Sequence, residues 1–257
     1  MRKITAFVGS ARKKHTYQAV QGFLDHLESL GDVETEIVAL GDYRLEICRG
    51  CKVCFEKGEA FCPHKDDQQI LVEKMTASDG VILASPNYAF QISGLTKVFL
   101  DRLAYLLHRP CFFGKAFTSI VTQGVYGGNK IVKYLDFVGS GLGFNTVKGS
   151  CITALEPMTA KEAAKVERGL VRHSQRFYEC LTKVDYPAPT LFKLMTFRMG
   201  RTSMRLELDD TSYDYRYYRD RGWFESDYFY PTRLGMGKRL VGQLFDTVAA
   251  RMAKHRG

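Results

Sequence analysis

Cys48-Arg49-Gly50-Cys51-Lys52-Val53-Cys54 is followed by Cys62, a C-x2-C-x2-C-x7-C spacing. Four thiolates this close in sequence can hold a [4Fe–4S] cluster or a zinc ion. Gly50 relieves crowding as the backbone wraps, and Gly58 in the long gap lets Cys62 fold back. The same residues can instead stay reduced thiols, with Phe55 and Phe61 packing the segment. Cys111, Cys151 and Cys180 are isolated and read as small buried apolar residues. The histidines show no H-x3-H spacing, so His108 and His173 read as structural or surface groups.

Three further segments carry binding chemistry. Gly9-Ser10-Ala11-Arg12-Lys13-Lys14-His15-Thr16-Tyr17 joins an apolar run to a helical pattern. Exposed amides and the positive end of a helix favour an anion there. Ser10 and Thr16 add hydroxyls, Lys14 and His15 add basic groups, and Arg12 adds a planar cation suited to phosphate. Neither the G-x-x-x-x-G-K-[ST] spacing nor G-x-G-x-x-G is present. The alternative is a basic solvated turn with Thr16 capping the helix. Ser85-Pro86-Asn87-Tyr88-Ala89-Phe90 offers Tyr88 and Phe90 to flank a planar ring, with Pro86 and Asn87 beside them. Otherwise these aromatics are core residues at a strand end. In Thr122-Gln123-Gly124-Val125-Tyr126-Gly127-Gly128, the glycines Gly124, Gly127 and Gly128 let backbone approach a ligand near Gln123 and Tyr126. The alternative is a flexible turn.

The elements around these segments give them a common place. Ile4 to Val8 is a short apolar strand, and residues 17–30 have helical spacing. Val33 to Leu40 alternates, as a half-exposed edge strand does. Asp66 can cap a helix near Asp67, with Gln69 in capping-box position. Val81 to Ala84 is apolar throughout, as a strand covered on both faces must be. Ile92 to Leu106 reads as one amphipathic helix, Ala116 to Thr122 as a strand, 129–139 as a helix, Thr146 to Ala154 as a last strand and 160–182 as a long helix. Alternating strands and helices predict a doubly wound parallel α/β sheet in the order 2-1-3-4-5. The three segments then follow strands one, three and four, at the carboxyl ends where such sheets bind ligands. Their joint occurrence points to a bound mononucleotide.

Gly9-Ser10-Ala11-Arg12-Lys13-Lys14 resembles the phosphate loop of NADPH-dependent FMN reductases, where G-S-P-R-K is usual. Ser85-Pro86-Asn87-Tyr88, with Leu95-Thr96-Lys97-Val98-Phe99-Leu100-Asp101-Arg102, resembles their S-P-x-Y…L-K-x-F-x-D-R block. The resemblance covers about residues 3–183. It departs at Ala11 and at His15-Thr16, where Asn-Thr is common, which leaves the role of His15 open. It implies a flavodoxin-like fold, FMN, NAD(P)H as electron donor, and a homodimer or higher homo-oligomer. The position of Cys48, Cys51, Cys54 and Cys62 resembles the compact motif of iron–sulfur flavoproteins.

Beyond Asp185 the rhythm changes. Pro187 and Pro189 break the chain, and an aromatic stretch lies between two helical patterns. Leu191, Leu194, Met195 and Met199 form one stripe and Leu240, Leu244, Val248 and Met252 another, both expected to be buried against the main domain or a partner subunit, with a membrane surface as the alternative. The domains are therefore drawn as 1–184, binding FMN, and 185–257, a helical and aromatic extension. The +9 formal charge is dispersed among acids, which reads as a basic solvated surface and not as a nucleic-acid site. No apolar run spans a bilayer and no leader segment precedes the first strand, so a cytoplasmic location is expected. The expected activity is an FMN-dependent NAD(P)H oxidoreductase with a small molecule or redox protein as acceptor. The rivals are an iron–sulfur carrier pairing FMN with a [4Fe–4S] cluster, and a non-enzymatic zinc or nucleic-acid-binding module.

Overall fold

The computed structural model describes residues 1–183 and 185–255. Val184, where the sequence pattern ends the first domain, lies outside them. The chain divides into two compact units, one of Met1–Arg49 and His64–Asp185, the other of Gly50–Pro63 and Tyr186–Gly257. The cysteine-rich segment thus groups with the C-terminal extension and not with the sheet that precedes it in sequence.

The first unit is built on strands β1 (Arg2–Val8), β2 (Val33–Ala39), β3 (Gly80–Pro86), β4 (Ala116–Gln123), β5 (Asn145–Thr146) and β6 (Ser150–Thr153). All pair in parallel, in the order β2-β1-β3-β4-β5, with β6 also on β4. This is the flavodoxin-like arrangement. Residues alternate between faces along β1: Ile4, Ala6 and Val8 meet Phe23, Leu27 and Phe177 of helices α1 (His15–Leu30) and, later in the chain, Ala160–Thr182. Phe7 points the other way and stacks on Phe99 at 5.3 Å. The strand expected over Thr146 to Ala154 is split in two, because Gly149 N leaves the ladder and donates to Asp136 Oδ2 at 3.0 Å. The helix expected from Ile92 to Leu106 also breaks, at Leu103, into Gly94–Arg102 and Ala104–His108.

In chain order the remaining helices are α2 (Val53–Glu56), α3 (Gln68–Ala77), α4 (Gly94–Arg102), α5 (Ala104–His108), α6 (Gly128–Gly141), α7 (Ala160–Thr182), α8 (Leu191–Glu207), α9 (Tyr213–Asp220) and α10 (Met236–Lys254). Asp66 does more than help begin α3. It is buried in an ion pair with Arg102 of α4, the two side chains being 1% and 3% exposed. Arg102 also donates to Glu46 O and Gln68 Oε1, at 3.0 and 2.7 Å. Burial alone would raise the Asp66 carboxyl, but Arg102 and the amides of Glu46 and Gln68 hold it below its ordinary range. Gln69 bonds to Glu73 instead of closing a capping box.

In the second unit α8 and α10 lie against each other, joined by Arg198 and Arg201 to Asp246 at 2.9 and 3.0 Å. Trp223 sits against Tyr218 and Phe229, both at 4.8 Å, and donates Nε1–H to Phe229 O. The cysteine segment joins this unit through Ser212, which donates to Phe55 O at 3.5 Å, and through Tyr213 beside Gly58. Within the single chain the two stripes are only partly covered. Leu194 is buried, but Leu191 is exposed, Met195 and Met199 are half-buried, and Leu240, Leu244, Val248 and Met252 are exposed. The inward side of α10 is instead Gly242, Asp246 and Ala249.

Candidate functional site

The first loop leaves β1 between β2 and β3, and Gly9 sets its course. Gly9 N donates to Ala84 O at 2.8 Å, and Gly9 O accepts from Ser93 Oγ. A Cβ at this position would stand 1.8 Å from Thr96 Oγ1, so only glycine fits. Ser10 Oγ donates to Arg12 O at 2.9 Å and folds the loop on itself. The helix that follows begins at His15, with Lys14 at the cap position and no side-chain cap. Thr16 is therefore not the cap. It is buried one residue into α1, and its hydroxyl meets that of Thr122 at 2.6 Å, tying α1 to the end of β4. No acid stands in the first turn, so the positive end of α1 is left to Arg12, Lys14 and His15.

The second loop leaves β3 at Pro86. Asn87 N donates to Thr122 O at 2.7 Å and Asn87 Nδ2 to Tyr126 O at 2.9 Å, which links the second and third loops. The amide orientation leaves Asn87 Oδ1 buried without a hydrogen-bond partner. Tyr88 and Gln91 exchange two backbone hydrogen bonds, at 3.0 and 2.9 Å, around Ala89 and Phe90. Both turn residues have positive φ, 49° and 62°. Non-glycine residues there carry strain of about 1 kcal/mol or more each. The strained turn lifts Tyr88 and Phe90 into solvent, so neither is a core residue.

The third loop is braced by Gln123. Its Oε1 accepts from Gly128 N at 2.7 Å, and its Nε2 donates to Val125 O and Thr153 Oγ1 at 3.2 and 3.1 Å. Gly127 has φ 95° and starts α6, so the turn needs a residue without Cβ. Tyr126 is exposed, its ring 5.2 Å from that of Phe90.

Together these loops form an open groove of about 480 Å³. The first loop contributes Ser10, Arg12, Lys14, His15 and Thr16, the second Pro86, Asn87 and Tyr88, the third Gln123 and Gly124. Phe90, Tyr126, Gly127 and Gly128 are not in its wall. Phe90, Tyr126 and Gly127 stand together beside it, a Cβ on Gly127 falling 3.1 Å from Phe90 Cδ1. Thr122 and Ala154 line the groove without having been picked out by sequence. Ala154 follows β6, and the rule that ligands lie beyond strand ends applies to that strand too. Glu156 was also missed; its Oε1 is 3.2 Å from His15 Nε2.

The four motif cysteines are divided between the two units. Cys48 falls in the first unit and Cys51, Cys54 and Cys62 in the second. Cys51 precedes α2, Cys54 lies within it, and Cys62 follows the turn Glu59–Phe61. Among the described residues no three His, Cys, Asp or Glu side chains are close enough to hold a metal ion. None of the seven cysteines forms a disulfide. Of the other three, Cys111 is exposed and not buried as expected, while Cys151 and Cys180 are half-buried, with burial pushing both thiols up.

The family model for NADPH-dependent FMN reductase matches residues 2–155, which contain every wall of this groove. This chain belongs to that family. It is a flavin-dependent oxidoreductase. An iron-sulfur flavoprotein of Archaeoglobus fulgidus is 34% identical over 158 residues, covering 57% of this chain and 70% of that protein. Another, from Clostridioides difficile, is 28% identical over 202 residues, 76% of this chain and 85% of that protein. Among solved structures, RosB, with bound 8-demethyl-8-formylriboflavin-5'-phosphate, has a TM-score of 0.53 at 15% identity and covers 92% of each chain. The azoreductase AzrA gives 0.54 at 12% identity, covering 69% of this chain and 99% of its own. At these identities the structural likeness is one of fold. Among the described residues no helix is long and apolar enough to cross a membrane.

Proposed function

We propose that the chain is an NAD(P)H oxidoreductase that holds FMN in the groove and passes its electrons to a small molecule or a redox protein. The observation that carries this reading is an uncapped helix start flanked by Arg12 and Lys14 in a groove walled by the loops after β1, β3 and β4. A phosphate fits the cationic end. Tyr88, exposed at the groove wall, offers a ring face to a planar group on the same ligand. FMN has both a phosphate and a planar ring, and when bound it would bring the hydride- and electron-transfer chemistry. The chain's part is to orient it. Gln123 and Asn87 hold the second and third loops in register, and Tyr88 is available to cover a planar ring. No side chain of the groove is assigned as a general acid or base. The test is FMN titration of the apoprotein, then anaerobic mixing with NADPH and with NADH. Rapid bleaching of the flavin absorbance by either nucleotide is expected. A protein that takes up no FMN overturns the reading.

A second reading is favoured by the C-x2-C-x2-C-x7-C spacing together with the relatives' names. Here Cys48, Cys51, Cys54 and Cys62 would hold a [4Fe–4S] cluster and the chain would act as an electron carrier. Among the described residues no three of these thiols lie close enough to hold a metal ion. Iron and acid-labile sulfide measured after anaerobic purification decide between the two. Stoichiometric amounts of both favour the carrier, and a flavin-replete protein with neither leaves the reductase.

A further inference from the structure

A second recess lies within the first unit, walled by the last strand β6 and by α7. Its volume is about 1030 Å³, against about 480 Å³ for the groove, and the two share no residue. Ile152, Val166 and Leu170 give it an apolar wall. Lys165 and Arg172, on the same side of α7, line it too, and neither has an ion-pair partner among the described residues. The acid on this wall, Glu162, is engaged at the helix start, where its carboxylate accepts from Thr159 N and Oγ1 at 2.9 and 2.7 Å.

The polar part of the wall is Ser150, and a buried chain of hydrogen bonds fixes which way its hydroxyl points. Thr118 Oγ1 donates to Val147 O at 3.1 Å, so toward His173 Nε2, at 2.7 Å, it can only accept. This assignment leaves no buried oxygen of the chain without a donor. His173 is fully buried and neutral, so with the proton on Nε2 its Nδ1 carries a lone pair. Ser150 Oγ, 2.8 Å from that nitrogen, must then donate to it. What Ser150 has left for the recess is lone pairs alone, which call for a donor on a ligand.

Gly169 lies between the two cations on α7 and is part of the same wall. Glycine is a poor helix former, and a Cβ at this position would meet nothing within 4 Å, so packing inside the chain does not require it. The missing side chain keeps the recess open. We propose that this recess is a second binding site and that it takes an amphipathic carboxylate. The anion meets Lys165 and Arg172, the apolar body lies against Ile152 and Leu170, and an N–H or O–H of the ligand donates to Ser150 Oγ.

The test is equilibrium dialysis of the full chain against dansylglycine, which combines a carboxylate, a naphthalene ring and a sulfonamide N–H. Excess FMN is kept present so that the groove is not what is measured, and the bound dansylglycine is counted independently of flavin uptake. Wild type should bind one molecule per chain. Gly169→Phe, which fills the recess from a position with free space, should abolish binding with the far-UV circular dichroism unchanged. Lys165→Ala combined with Arg172→Ala, both at exposed positions, should weaken binding at least about tenfold. Dansylamide, which lacks the carboxylate, should bind wild type and this double variant alike, and Ser150→Ala should weaken both probes. Wild-type protein that binds no dansylglycine overturns the proposal. So does binding that Gly169→Phe leaves intact, which places the probe on another apolar surface, or an equal loss of both probes in the double variant.

Discussion

Arg12 and Asn87 reach the groove from different strands, and their tasks can be separated by substitution. Arg12→Ala removes a charge-assisted contact to the proposed phosphate, worth about 1.5–3 kcal/mol, or roughly 10- to 150-fold in Kd. Fluorescence titration with FMN reads this, and riboflavin, which lacks the phosphate, should bind wild type and variant alike. An equal loss for both ligands would take Arg12 out of the phosphate site. Asn87→Leu removes the Nδ2–H bond to Tyr126 O and the orphaned Oδ1 together. It should weaken both ligands, because the second and third loops lose their tie. Ser10→Ala should weaken FMN less, since the Ser10 hydroxyl is engaged with Arg12 O. Sequence made Arg12 and Asn87 candidates through their positions in loops after apolar strands. It could not show the buried unpartnered oxygen, which depends on how two distant loops meet.

At the scale of elements, Arg102 joins α4 to the segment around Glu46, Asp66 and Gln68. Arg102→Met strands a buried carboxylate and should cost about 3–5 kcal/mol, seen as a lower Tm. His173 of α7 joins a helix to the sheet in another way. Its Nε2 meets Thr118 Oγ1 at 2.7 Å and its Nδ1 meets Ser150 Oγ at 2.8 Å, in full burial. Burial, helped by Arg176, pushes its pKa down from 6.5 to about 3. The folded chain keeps this ring neutral where the unfolded chain protonates it. Its contribution is therefore complete above pH 6.5 and declines as pH falls toward 3, by at most about 1.4 kcal/mol per pH unit. Melting curves across that range should be flatter for His173→Gln. The elements themselves were legible wherever burial dictates composition. β1, β3, β4, α1 and α7 show continuous apolar runs or helical spacing because both sheet faces are covered. The break at Leu103 and the split at Gly149 were not legible, since each answers to a partner far away in sequence. In α10 the pattern identified an apolar face, but the small face of Gly242, Asp246 and Ala249 is the one that packs.

At the scale of the molecule, every residue of the groove belongs to the first unit, whereas the aromatic cluster around Trp223 belongs to the second. The sequence marked a change of rhythm after Asp185 but not the grouping of Gly50–Pro63 with the extension, because that rests on Phe55, Gly58, Ser212 and Tyr213 meeting across a long stretch of chain. Two units with separate cores need not melt as one. Calorimetry of the protein should therefore show two transitions that respond to different changes. A ligand that binds only folded protein stabilises the unit that holds it, by about 2.7 kcal/mol at a hundredfold excess over Kd. FMN should raise the transition of the first unit and leave the other in place. Trp223→Ala removes a buried ring and its bond to Phe229 O, at a cost of about 3–5 kcal/mol. It should lower the second transition and leave the FMN-dependent one unmoved. A single transition that shifts with both changes would mean that the two cores unfold together, and that ligand binding in the groove stabilises the aromatic extension as well.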